Sequence, residues 1–306
     1  MNIEKEKRAI EYLRLFEPKD EPYYLCYSGG KDSDTILILA SLAGVNFEPK
    51  HNLTTVDSPV TVNYVKARIG VENIEHPDTT MWKLIVEKRM PPTRLVRYCC
   101  EELKERGGKR RKKITGVRWA ESVNRKQNRG LIDIHGKEIT MRRLAEEAGI
   151  NYSETVKGGM VLNNDNAETR AFVDHCYRTT SVMVNPIVDW TDKDVWEFLY
   201  HYGCKSNPLY EATAENNTYK CRGCCRVGCI VCPMQSSKGM KADLIRYPKY
   251  RDNYLRAFKR MLNARAAAHL QTDAIWNDAR AVMMWWVGDN PLTIKEIPEY
   301  LRGACL

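Results

Sequence analysis

Tyr23-Tyr24-Leu25-Cys26-Tyr27-Ser28-Gly29-Gly30-Lys31-Asp32-Ser33 is the stretch on which the fold turns. Its first five residues are an apolar, aromatic-rich run with the length and composition of a buried strand. Two glycines follow, and from Lys31 to Ala43 the apolar residues recur at helical spacing. Strand, tight loop and helix N-terminus together make an anion site. Glycine lets the backbone approach closely and adopt φ > 0. The unpaired N–H groups and the positive dipole end of the helix then face the anion. Lys31 adds a mobile charge, Ser28 and Ser33 add hydroxyls, and Asp32 is suited to capping the helix or holding Mg²⁺. The spacing differs from the G-x-x-x-x-G-K-S/T of the common P-loop. Ser-Gly-Gly alone equally suits an ordinary turn; the lysine, aspartate and serine that follow at once make phosphate binding the better reading.

Outward from this loop the chain alternates. A helix is expected over 3–16, ending before Pro18. His51 to Val56 reads as a second strand closed by Asp57-Ser58-Pro59, followed by a helix over 60–69. Ile74 to His76 is a short strand, Thr80 to Lys88 a helix, Tyr98 to Arg106 a helix and Lys113 to Val117 a strand. Val182 to Val188 returns to strand character, and Thr191-Asp192-Lys193-Asp194 reads as the N-cap region of a helix ending at Tyr202. Such alternation predicts an α/β fold with a doubly wound, Rossmann-like parallel sheet, whose ligands bind beyond the carboxyl ends of the strands. We expect residues 1–240 to form the nucleotide-binding domain, with 126–180 as an insertion or lid and 221–233 as a cysteine-rich metal segment. Residues 241–306 are expected to be a helical extension, with helices over 241–265 and 272–287. Trp276, Met283, Met284, Trp285 and Trp286 read as core packing.

Composition narrows the partners. The 306 residues are 43% hydrophobic and 28% charged, ordinary for a globular chain. No run of about 18 apolar residues is present, so no membrane span is expected. The charged start, Met1-Asn2-Ile3-Glu4-Lys5-Glu6, lacks a signal-peptide core, and a cytoplasmic protein is expected. The net charge, 48 − 39 = +9, suits an anionic partner, a nucleotide or a nucleic acid. Its densest run, Lys109 to Lys113, reads as a solvated loop or as a nucleic-acid contact.

Eleven cysteines in such a chain argue for metal or redox chemistry over disulfides. Two ligand sets stay open. Cys221, Cys224, Cys229 and Cys232, with Cys225 alongside, have the spacing of a local zinc knuckle. Cys99 and Cys100 with Cys229 and Cys232 are the other set. Adjacent helical cysteines point about 100° apart, which suits an iron–sulfur cluster with separate corners better than a single ion.

Together these residues resemble the phosphoadenylyl-sulfate (PAPS) reductase-like family of N-type PP-loop ATP pyrophosphatases, including its relatives in DNA phosphorothioation. Ser28 to Ser33 is similar to the PP-loop, and Arg97-Tyr98-Cys99-Cys100-Glu101-Glu102-Leu103-Lys104 to the cysteine-pair segment. Gly116 to Arg125 is similar to the substrate-facing strand and loop. Asn185-Pro186-Ile187, Trp190, Asp194-Val195-Trp196 and Asn207-Pro208-Leu209-Tyr210 resemble the segment closing over the nucleotide, and Gly228 to Met234 the second cysteine pair. The resemblance implies an adenine nucleotide alpha hydrolase-like fold, with Ser28, Gly29, Gly30, Lys31, Asp32, Ser33, Gly116, Arg118 and Arg125 around the nucleotide; Asp57, at the end of strand two, is a candidate for ribose or Mg²⁺ contact or, equally, a turn-capping residue. It implies Lys31, Asp32 and Arg118 as catalytic residues and a 4Fe-4S cluster on Cys99, Cys100, Cys229 and Cys232, with Zn²⁺ as the alternative. Sulfonucleotide reductases carry a degenerate first loop and end in Glu-Cys-Gly; this chain keeps the full loop and ends Gly303-Ala304-Cys305-Leu306. Cleavage of ATP at the α/β phosphates, with Mg²⁺, to activate an acceptor for sulfur transfer is therefore expected. The acceptor admitted by the charge is a nucleic acid, and a sulfur-donor protein is a further expected partner. A PAPS or adenylyl-sulfate reductase with Cys305 as nucleophile, and a non-catalytic nucleotide- or nucleic-acid-binding module, are the alternatives.

Overall fold

The computed structural model describes residues 1–135, 138–156, 158–176, 180–271, 274–294 and 296–304; Cys305 lies outside them. Its contacts divide the chain into two units assembled from separated stretches. The first is Met1–His51, Val60–Glu75 and Gly107–Val227; the second is Asn52–Pro59, His76–Arg106 and Gly228–Leu306. The boundary expected at 240/241 follows chain order, whereas three stretches build each unit in space.

In the first unit the strands are β1 (Tyr23–Cys26), β2 (Phe47–Asn52), β3 (Ile74–Glu75), β4 (Lys112–Ile114), β5 (Ile132–His135), β6 (Ser153–Glu154), β7 (Met160–Leu162) and β8 (Ser181–Val184). Among the described residues they form one sheet in the order β3-β2-β1-β4-β8-β5-β7-β6. Helices flank it, as the α/β reading expects. β1 pairs in parallel with β2 and β4, and β4 with β8. Tyr23, Tyr24 and Leu25 are buried, the continuous apolar run of a strand covered on both faces.

Three readings shift. Strand two lies at Phe47–Asn52 and not at 51–56, because its polar residues hide a strand held by register with β1, Tyr24 opposite Glu48. The stretch 126–180, read as an insertion or lid, carries β5, β6 and β7, which extend the sheet. β5 runs antiparallel to β8, and β7 pairs antiparallel with both β5 and β6, so the sheet is mixed. These strands have two to four residues, too few for an alternation to show in sequence. Part of the basic run is structural. Lys112 is fully buried in β4, where its ammonium donates to Phe16 O at 3.2 Å and pairs with Asp174, and Arg111 pairs with Glu48 at 2.8 Å.

The loop is set by its glycines. Gly29 adopts φ +73°, and a Cβ there would lie 2.7 Å from Val65 Cγ2. Gly30 caps the Lys31–Ala43 helix in extended conformation, and Gly44 closes that helix in the left-handed region at φ +67°. After the sheet, Ala212–Glu215 (β9) and Thr218–Cys221 (β10) form an antiparallel hairpin.

The second unit is mostly helical, with Met81–Lys88, Ser237–Arg246, Pro248–Ala267 and Ala279–Trp286 around one core. Tyr254 meets Trp82 edge-on at 4.7 Å, and the Trp286 indole donates to Pro92 O at 2.6 Å. Met283, Met284 and Trp286 are buried, and Trp285 and Trp276 pack against this core, as read. The helix read over 241–265 is two helices, because Pro248 suits a first helical position and not an interior. The helix read over Tyr98–Arg106 is a π-helical turn at Cys100–Lys104. No described helix is long and apolar enough to cross a membrane.

Candidate functional site

In the first unit four charged side chains meet at the N-terminus of the Lys31–Ala43 helix. The buried Arg118 guanidinium donates through Nε to Asp32 Oδ1 at 2.7 Å, through Nη2 to Asp192 Oδ1 at 2.9 Å, and through Nη1 to Trp190 O at 3.1 Å. Lys31 Nζ lies 3.2 Å from Asp32 Oδ2 and 3.4 Å from Asp192 Oδ1. Two cations thus share two carboxylates. Burial works against the Asp192 carboxylate, but Arg118 and Lys31 hold it below the ordinary aspartate range. Asp192 is 67% exposed, so this is the open side of the cluster.

The loop backbone is braced from beneath. Ser33 Oγ accepts from Gly30 N at 3.0 Å and donates to Gly30 O at 2.7 Å. Asn207 Nδ2 donates to Gly29 O at 2.9 Å, and Lys31 N donates to the Tyr210 hydroxyl at 3.2 Å. Ser28 is exposed. Asp34, next along the helix, is fully buried and accepts from Tyr27, Tyr64 and Ser206 hydroxyls at 2.5, 2.9 and 2.5 Å. Gly116 admits the helix start: a Cβ there would meet the Asp32 backbone at 3.0 Å.

Arg125 is paired with Glu121, which also lies 3.6 Å from Arg226. Burial, then the Arg226 and Arg129 charges, push the Arg125 guanidinium down to about 10. Glu121 thus faces two guanidinium groups, Arg125 and Arg226.

Asp57 reads in sequence as a ribose or Mg²⁺ contact or, equally, as a turn-capping residue. It lies in the second unit, past the end of β2, where its backbone bridges to Cys229 and its Oδ2 accepts from Thr54 N at 2.6 Å. That is the turn-holding role of an aspartate.

The local set is divided between the units, whereas the other set falls within one. Cys221, Cys224 and Cys225 belong to the first, and Cys99, Cys100, Cys229 and Cys232 to the second. The latter four line a single cavity, with Met81, Leu103, Lys104 and Tyr254 among its other walls. Thr54 Oγ1 lies 3.4 Å from Cys229 Sγ. The Cys99 thiol donates to Cys100, so Cys99 is raised and Cys100 lowered. Burial, then Asp57, push Cys229 up to about 12. Among the described residues no three His, Cys, Asp or Glu side chains are placed to hold one metal ion, and no carboxylate or imidazole lines this cavity. An all-sulfur donor set spread over two turns fits a polynuclear thiolate-ligated group.

Asp192, Glu121, Asp34 and the Tyr210 hydroxyl escaped sequence reasoning as site residues. Asp192 stood in a capping motif that explained it fully, and Tyr210 was carried only by resemblance.

The phosphoadenosine phosphosulfate reductase domain family matches residues 22–235, a span that holds the loop, Arg118 and all four cavity cysteines. Two uncharacterised proteins of Methanocaldococcus jannaschii, MJ0973 and MJ0066, are 24% and 23% identical over 84% and 80% of this chain. Those matches cover 53% and 43% of the relatives, so the chain spans about half the length of the curated relatives it matches. An adenosine 5'-phosphosulfate reductase of Bacillus thuringiensis is 28% identical over 31% of this chain and 36% of its own length.

Proposed function

The chain belongs to the phosphoadenosine phosphosulfate reductase domain family, and from that premise we propose an enzyme that splits ATP between the α and β phosphates and activates an acceptor, as its adenylate, for sulfur transfer. One observation carries this reading. The complete Ser28–Ser33 loop stands with Lys31 and Arg118 converging on the same two carboxylates, Asp32 and Asp192.

An acceptor oxygen attacks the α-phosphorus, the bond to the α,β-bridging oxygen breaks, and pyrophosphate leaves with the electron pair. Lys31 and Arg118 neutralise the charge that develops on that leaving group, in a site whose dipoles are already oriented. Arg125 meets a further anionic group of nucleotide or acceptor. Asp32 and Asp192 are hard oxygen donors and would hold Mg²⁺ against the phosphates. Cys99, Cys100, Cys229 and Cys232 would hold a 4Fe-4S cluster, which supplies one-electron redox capacity when bound.

Pyrophosphate release from labelled ATP tests the proposal. Lys31→Ala should lower it by about 10²-fold or more, the size of losing one charge-stabilising group. Release unaffected by Lys31→Ala would refute it. The match to an adenosine 5'-phosphosulfate reductase favours a second reading, reduction of a sulfonucleotide to sulfite. Sulfite formed from adenosine 5'-phosphosulfate and a dithiol, with no pyrophosphate release from ATP, would replace the first reading by the second.

A further inference from the structure

We propose that the Cys221–Cys225 turn is the sulfur-handling arm of the nucleotide loop, with Cys225 accepting a sulfane sulfur and Cys221 releasing it as hydrosulfide. The turn is tied to the loop through Tyr210, with two further contacts around it. Arg222 N and Gly223 N donate to Tyr210 O at 3.1 and 2.9 Å, while the hydroxyl of the same tyrosine accepts from Lys31 N at 3.2 Å. Arg226 pairs at 3.6 Å with Glu121, whose carboxylate accepts from Arg118 N at 3.2 Å. Val227 Cβ lies 4.0 Å from where a Gly30 Cβ would stand. Gly223 is needed at the Tyr210 contact, since a side chain there would collide with Leu209 O.

The three thiols share this one turn. Cys221 Sγ donates to Tyr210 O at 3.2 Å and to Cys224 O at 2.9 Å, and the second carbonyl belongs to the peptide joining Cys224 to Cys225. Among the described cysteines Cys225 is the exposed one, and Cys221 and Cys224 are half-buried. An outer thiol open to a donor therefore lies beside an inner thiol able to resolve it.

The chemistry closes with one donor and one reductant. The Cys225 thiolate attacks the outer sulfur of a persulfide or polysulfide; the donor S–S bond breaks, the donor leaves as a thiol, and Cys225 becomes a persulfide. The Cys221 thiolate then attacks the cysteinyl sulfur of that persulfide. Its S–S bond breaks and hydrosulfide leaves, taking two electrons, one from each cysteine, as the Cys221–Cys225 disulfide forms. An external dithiol reopens the disulfide and is itself oxidised. Only the last step rests on the proposed function: hydrosulfide attacks the adenylated centre and displaces AMP.

The earlier steps need no ATP, which separates the two claims. The full-length reduced chain is treated with sodium tetrasulfide, the excess is removed, and sulfide release and the masses of the 220–226 segment are followed. One added sulfur on Cys225, then one sulfide released per chain with formation of the Cys221–Cys225 disulfide, is the expected course. Cys225→Ser should lose both signals and keep pyrophosphate release. Cys221→Ser should keep the added sulfur and release no sulfide. Sulfur addition at this turn unchanged by Cys225→Ser, a disulfide joining Cys221 to Cys224 instead, or a bound zinc ion shielding all three thiols from alkylation would each overturn the proposal.

Discussion

At the scale of single residues, Asp192 decides how the charge cluster answers a ligand. Its carboxylate occupies Lys31 and Arg118, the two cations a phosphate would use, and it does so from a position two-thirds open to solvent. Arg118 is its opposite, buried and pinned by three acceptors, so its guanidinium plane is fixed before any ligand arrives. Removing the charge of Asp192 should therefore act on binding more than on architecture. Asp192→Asn is expected to tighten nucleotide binding in the absence of divalent cation and to weaken the dependence of pyrophosphate release on Mg²⁺. Titrations with and without a chelator measure both effects. Equal nucleotide affinity for the two chains without metal would show that Asp192 does not compete for the cations. Arg118 and Lys31 were legible as candidates because residue type and loop context are local information. Asp192 was not, because its contacts with them are far apart in sequence, 74 residues in the case of Arg118, and a capping motif already accounted for it.

At the scale of elements, the first loop was readable because strand, glycines and helix each carry their signal in adjacent residues. Gly29 and Gly30 divide the work differently. Gly29 sits at φ +73° with Val65 and Thr61 at 2.7 and 3.2 Å from a built Cβ, whereas Gly30 is extended at φ −108° with the Tyr210 hydroxyl at 3.2 Å. Gly29→Ala should destabilise the first unit by on the order of 2–4 kcal/mol, combining left-handed strain with overpacking. Gly30→Ala should lose clearly less, and equal losses in chemical denaturation would contradict this account of the turn. β5 shows what sequence could not display. Its four residues join the sheet through backbone pairing with β7 and β8, and its last side chain carries a pH signal. Burial, then Arg129, lower His135 from 6.5 to about 4, while its Nε2 accepts from Arg129 Nη1 at 2.8 Å. The unfolded chain therefore binds this proton first, and the stability contribution is present above pH 6.5 and lost as pH falls towards about 4. His135→Asn should flatten the stability profile in that window; a profile as steep as that of the parent chain would assign the slope to other groups.

At the scale of the whole molecule, the division into two units explains which part of the site was legible and which was not. The four cavity cysteines were one of two candidate sets in the sequence, because cysteine pairs are rare enough to be counted. Their convergence could not be read there, since it depends on a unit gathered from 52–59, 76–106 and 228–306. Asp57 shows the same dependence: in chain order it follows β2, and its backbone bridges to Cys229, far along the chain. Cys99 and Cys229 pack against the second unit's core, so a group held by Cys99, Cys100, Cys229 and Cys232 would join two stretches of that unit across its own interior. A ligand that binds the folded unit and not the unfolded chain stabilises it by mass action. Stripping iron with a chelator under reducing, anaerobic conditions should therefore raise amide exchange in the segments around 98–104 and 229–233 by about tenfold or more, since each 1.4 kcal/mol of lost local stability is a decade of opening. Protection over Tyr23–Ala43 should stay as it was, because none of its residues lines the cavity. Exchange that rises equally in both regions would make the cysteine group a global folding element, and exchange unchanged in either, in protein shown to have lost its iron, would remove it from the stability of the fold altogether.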